Sequence, residues 1–175
     1  MKRFKVFVFS LFLFACSEQN IAPPVCRVTP QAASNLMGEG ACVIKINKQL
    51  LVLQRASGKY DLPFSPNISD TSAQCAAHQG AWLETGFNVE VGKKLATQRN
   101  GVSLFACHLN VGFDGSEESI PPPPWKPADV VDMQFIYPFD IDLHQWHRPD
   151  QFIAVMDAYS THVVNLAQIE EKSDE

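Results

Sequence analysis

SPNISDTSAQCAAHQGAWLETGF, residues 65–87, is the stretch on which the reading of this chain turns. It opens with turn formers, Pro66 and Asn67 among them. Ser69, Asp70 or Thr71 can then cap a helix, because a short side-chain oxygen accepts one of its first free backbone N–H groups. The helix is expected to run to about Thr85. Gly86 follows, where a helix end favours a left-handed residue and glycine adopts one at no steric cost. The segment therefore reads as loop, helix and sharp turn. Helical spacing puts Gly80, Leu83 and Glu84 on one face of that helix.

Two strand-like runs precede it. Residues 41–47 (ACVIKIN) and 49–55 (QLLVLQR) are rich in Val, Ile and Leu with partial alternation, and Asn47-Lys48 between them suits a tight hairpin. Residues 56–70 are turn-rich, and Asp61 and Asp70 read as turn and cap residues. Beyond the helix, 87–95, 102–111 and 129–137 read as strands, separated by a loop at 112–128 that carries the stiff Pro121–Pro124 run. Pro149 opens a last helix, with Phe152, Val155, Met156, Tyr159, Val163 and Leu166 forming one apolar stripe. Strand pairs flanking a helix predict an α/β fold, a mixed sheet with helices on both faces.

Residues 65–87 resemble the Nudix box, the signature of hydrolases that cleave nucleoside diphosphates linked to another moiety. The family pattern is G-x5-E-x7-R-E-U-x-E-E-x-G-U, where U is a bulky aliphatic residue. Gly86, Phe87 and Glu84 match it. The other acidic positions fall on Leu83, Gly80 and Thr71, the arginine on Gln79 and the first glycine on Ser65. The resemblance covers residues 38–167 and implies a Nudix-like α/β/α sandwich. Leu62-Pro63 before the box and the preceding hairpin support it.

In that family the acidic residues of the box gather magnesium or manganese, hard cations that want several oxygen ligands. The metal neutralises the diphosphate and orients a water. Here Glu84 is the one carboxylate left at the family's acidic positions, and it reads either as a remnant metal ligand or as a solvent-facing residue near a helix end. Gly80 costs a helix interior ~1 kcal/mol relative to alanine, which fits a site released from metal chemistry. Glu117 and Glu118, in the loop after the longest strand, are the remaining candidate ligands, since several members draw a carboxylate from a late loop. His144, His147 and His162 lack any ligand spacing, and no G-x-S-x-G context surrounds Ser57 or Ser103. Three missing carboxylates imply a catalytically degenerate member that needs no cofactor and binds a small molecule or a protein. The other readings are a divergent Mg- or Mn-dependent hydrolase of a diphosphate-linked nucleoside, sugar or lipid, and an envelope protein that uses the fold as a scaffold.

The start of the chain points to a compartment. Lys2, Arg3 and Lys5 precede an apolar run of about nine residues, too short to span a bilayer, which takes ~20. Leu13-Phe14-Ala15-Cys16 then resembles a bacterial lipobox. This divides the chain into a signal peptide (1–15), a lipidated Cys16 with its tether (16–37), the domain (38–167) and an acidic tail (168–175). Ser17 after the cysteine directs such a lipoprotein to the outer membrane, facing the periplasm. Cys26, Cys42, Cys75 and Cys107 remain, an even number that suits two disulfides in an oxidising compartment. Three connectivities are possible, and Cys26–Cys42 with Cys75–Cys107 is the favoured one. The net charge of −5 argues against a nucleic-acid partner, which requires a basic face.

Overall fold

The computed structural model describes residues 21–64, 66, 70–109 and 120–173, with backbone alone for 163–173. Cys16, Ser65, Glu117 and Glu118 lie outside the described residues. The chain forms β1 (Gly40–Ile46), β2 (Gln49–Arg55), β3 (Tyr60–Asp61), α1 (Ala73–Thr85), β4 (Glu90–Thr97), β5 (Ser103–His108), β6 (Val130–Ile136) and α2 (Phe152–Ser173). Short 3-10 turns occupy Pro30–Ala32, Pro138–Asp140, Leu143–Gln145 and Pro149–Gln151.

The β1–β2 hairpin turns on Asn47 and Lys48, whose φ values of 48° and 67° are both left-handed. That pair of conformations matches the twist of an antiparallel ribbon. Beyond the turn β1 leaves β2 and runs parallel to β5, Gly40 opposite Ser103 through Ile44 opposite Cys107. All the other strand pairings are antiparallel, so the sheet is mixed, with the path β3-β2-β1-β5-β4 and β6 paired to β2.

Alternation along the strands sorts the core into two layers. Cys42, Ile44, Leu51, Leu53, Phe105 and Cys107 face α1 through Ala73, Ala77 and Ala81. Ala41, Val43, Leu50, Val52 and Leu104 face α2 through Val155, Ala158 and Tyr159. Helices thus cover both faces, as a period-two pattern of buried residues requires. The alanine face lets α1 lie very close to β1. A Cβ placed on Gly40 would sit 1.9 Å from the carbonyl oxygen of Ala73.

Several boundaries differ from the sequence expectation. Ser72, rather than a residue of 69–71, caps α1, its hydroxyl accepting from the Cys75 N–H at 3.2 Å. Gly86 closes the helix in the left-handed conformation, as expected, and donates its N–H to the Trp82 carbonyl at 2.9 Å. The two-residue β3 falls inside a region rich in turn formers, where its length gives no periodic signal. Pro149 begins a 3-10 turn, and α2 starts after it at Phe152.

The disulfides are Cys26–Cys75 and Cys42–Cys107, which corrects the favoured pairing. Cys42 and Cys107 sit on the same face of adjacent parallel strands, two residues out of register, with Cα atoms 5.5 Å apart. Cys26 belongs to an N-terminal arm that crosses the start of α1. Gln74 stitches that arm down: its carbonyl accepts from the Ser34 N–H at 2.9 Å, and its amide donates to Ala32 and Gly92 carbonyls at 2.9 and 3.0 Å. Arg27 and Thr29 also exchange backbone hydrogen bonds with Val91 of β4.

Candidate functional site

At the C-terminal end of α1, charged side chains from five parts of the chain converge. Glu84, the penultimate residue of α1, is 3% exposed, so it is no solvent-facing helix residue. One carboxylate oxygen accepts from Arg55 Nη1 at 2.7 Å, and the other accepts from the Phe64 N–H at 2.7 Å. Arg55 ends β2, where the pairing with β6 shifts register between Gln54 and Arg55. Such an irregularity re-aims a side chain, and here it accompanies a guanidinium turned into the interior.

Around this pair lie two more carboxylates and a second arginine. Asp61, on β3, is 3% exposed and 3.5 Å from Arg55 Nη2. Arg148, just before the Pro149 turn, donates to both Asp61 oxygens at 3.1 and 3.2 Å and lies over the Phe64 ring, 5.0 Å from its centroid. Asp129 stands at the rim, 3.4 Å from Arg55 Nη1, its side chain 59% exposed. Phe64, Pro66, Pro127 and His147 complete the walls of a cleft of about 410 Å³. Asp61 is therefore a buried ion-pair partner rather than a turn residue, and Asp70 remains an exposed bend residue.

Formal charges make the cluster −1 when all five groups are ionised. Burial opposes the Arg55 charge, but Glu84, Asp61 and Asp129 outweigh it and hold its pKa above the ordinary value. Glu84 behaves differently. Burial, reinforced by Asp61, pushes its carboxyl up to about 7 against the pull of Arg55 and the Phe64 N–H. The negative end of the α1 dipole works in the same direction. The Arg55–Glu84 pair is thus fully ionic only above neutrality, and a proton on Glu84 brings the cluster to zero net charge.

The other box positions supply no carboxylate. Gly80 is buried, and Leu83 and Gln79 are half-buried. Among the described residues no three His, Cys, Asp or Glu side chains gather as a metal site, and His144, His147 and His162 do not come together. These residues fit magnesium or manganese poorly: each Glu84 oxygen already accepts one hydrogen bond, and Arg55 and Arg148 offset two of the three carboxylate charges. His78, on the far side of α1, is buried and bonded to Asn88 at 3.0 Å. Trp146 packs in the α2 core, while Trp82 and Trp125 lie against each other with centroids 5.3 Å apart, placing the proline run over Gly86.

Sequence reasoning missed Arg55 and Arg148. Arg55 carried one faint signal, a charged residue closing an otherwise apolar strand. Arg148 carried none, because its partner Asp61 is 87 positions away.

No protein-family model and no curated protein matches the chain. Solved structures do. An ADP-ribose pyrophosphatase from Streptococcus suis is 15% identical over 70% of this chain and 89% of its own, with a TM-score of 0.54. A UDP-X diphosphatase is 15% identical over 76% of this chain and 68% of its own, with a TM-score of 0.52. A NUDIX hydrolase from Nitrosomonas europaea is 16% identical over 72% of this chain and 90% of its own, with a TM-score of 0.51. At such identities the likeness concerns architecture, and the architecture of this chain is the Nudix fold.

Proposed function

We propose that this chain is a Nudix-fold lipoprotein of the bacterial envelope, anchored through Cys16 and facing the periplasm. Its Arg55–Glu84 cleft binds a small molecule or a protein partner without hydrolysing it. The observation that supports this reading is the engagement of both Glu84 oxygens, by Arg55 and by the Phe64 N–H. One buried carboxylate committed to an arginine is a poor site for a hard cation, which needs several oxygen ligands. The purified protein should release no product from ADP-ribose, UDP-sugars or lipid-linked diphosphates with millimolar magnesium or manganese. Robust turnover that disappears in Glu84→Gln overturns the reading. The anchor has its own test: labelled palmitate should enter the protein in cells and be lost in Cys16→Ala.

A divergent hydrolase is the second reading. One observation favours it: three carboxylates, Asp61, Glu84 and Asp129, share one cleft with Arg148. The similar folds named above include proteins that bear pyrophosphatase and diphosphatase names. A rise in melting temperature with millimolar manganese, absent in Asp129→Asn, supports that reading. A scaffold role in the envelope would instead appear as a stoichiometric protein partner recovered from membranes, bound equally well by Glu84→Gln.

A further inference from the structure

The buried face of α2 comprises Val155, Ala158, Tyr159 and His162, the i, i+3, i+4, i+7 spacing of a core stripe. The fourth member is an imidazole. His162 is 2% exposed, and neither ring nitrogen has a hydrogen-bond partner. A neutral imidazole carries one donor and one acceptor, so both capacities go unmet.

Its neighbours on every packed strand would repel a proton. β5 presents His108, edge-on at 5.4 Å between ring centroids. β1 contributes Lys45 and β4 contributes Lys93. Glu90, opposite His108 in the β4–β5 register, lies 3.9 Å from Arg27. On α2 itself the Tyr159 hydroxyl donates to the Lys48 carbonyl, and its ring lies under the Lys45 ammonium at 4.7 Å. Burial first, then His108, Lys45 and Lys93, push the His162 pKa down to about 4. Burial lowers that of His108 as well, with Glu90 opposing.

The covalent cross-links are placed unevenly. Cys42–Cys107 ties β1 to β5, and Cys26–Cys75 ties the N-terminal arm to α1. Neither disulfide reaches α2, whose described residues meet the sheet through side-chain packing and the Tyr159–Lys48 hydrogen bond.

We infer that α2 is an acid-released latch: a proton on His162 lifts the helix from the sheet while β1, β5 and α1 stay folded. An imidazolium at this position has no acceptor and faces two lysines and a second histidine. Lifting α2 gives it water and breaks no covalent link. The move uncovers the apolar layer of Val43, Val52 and Leu104 to solvent. An envelope protein meets outside acidity directly, which gives such a device a stimulus.

Hydrogen–deuterium exchange on the full chain at pH 7 and pH 4, corrected for intrinsic rates, tests this. Protection of the amides of 155–162 should fall about a hundredfold, the ratio expected when a group titrates near 4 docked and near 6.5 released. The amides of 104–107 and 76–82 should keep their protection. Unchanged α2 protection at pH 4 overturns the proposal, as does loss of sheet and helix together. His162→Leu should hold α2 protected at both pH values, and a loss equal to wild type refutes the role of this residue. The wild-type comparison is decisive even if that variant fails to fold.

Discussion

Glu84→Gln should expose a pH dependence of stability that is partly offset in the wild type. In the fold the Glu84 pKa is raised from 4.5 to about 7. The folded state therefore holds this proton more tightly than the unfolded chain. The resulting stability is complete below pH 4.5 and is lost as pH rises through 7. His162 has the opposite sign. Its pKa is lowered from 6.5 to about 4, so its contribution is present above pH 6.5 and is lost as pH falls through 4. Between pH 5 and 6.5 each group changes stability by up to ~1.4 kcal/mol per pH unit, and the two slopes oppose each other. Glutamine removes the Glu84 slope and leaves that of His162. The variant should gain ~2 kcal/mol from pH 5 to pH 6.5, where the wild type gains distinctly less. Urea unfolding followed by tryptophan fluorescence at four pH values across that window measures both curves. A constant offset between them reports the lost Arg55 pair, whereas the difference in slope reports the proton. If the wild type climbs as steeply as the variant, Glu84 is already ionised at pH 5, and the argument from burial fails.

Two further outcomes follow from the same geometry. Arg55→Met leaves Glu84 and Asp61 buried without that cation and should cost ~3–5 kcal/mol in urea unfolding at pH 8; a loss below ~1 kcal/mol would mean that the cluster is well hydrated. Gly40→Ala drives a methyl group into the Ala73 carbonyl, a backbone atom that cannot rotate away. It should lower stability by ~3 kcal/mol or more, and an unchanged melting temperature would show that α1 can slide on β1.

What the sequence disclosed depended on range. The α1 helix, its Gly86 end and the Asn47-Lys48 hairpin were legible because each is fixed by residues within a few positions of one another. The two-layer core followed from alternation in 41–47 and 49–55. The site was far less legible. Glu84 stood out through its place in the family pattern, but its burial depends on Arg55, 29 positions earlier, and on the Phe64 backbone. Asp61 resembled a turn residue because its partner Arg148 arrives from beyond β6. Disulfide pairing failed for the same reason: Cys42 meets Cys107 through a parallel pairing that no local pattern specifies.

The Cys26–Cys75 bond has a directional consequence. Cys75 lies in the first turn of α1 and Glu84 in the last, nine residues apart, or ~14 Å along the axis at 1.5 Å per residue. The arm is thus riveted to one pole of that rod, and the charged cleft opens at the other. A load applied through the N-terminal arm therefore enters α1 at the pole away from the cleft.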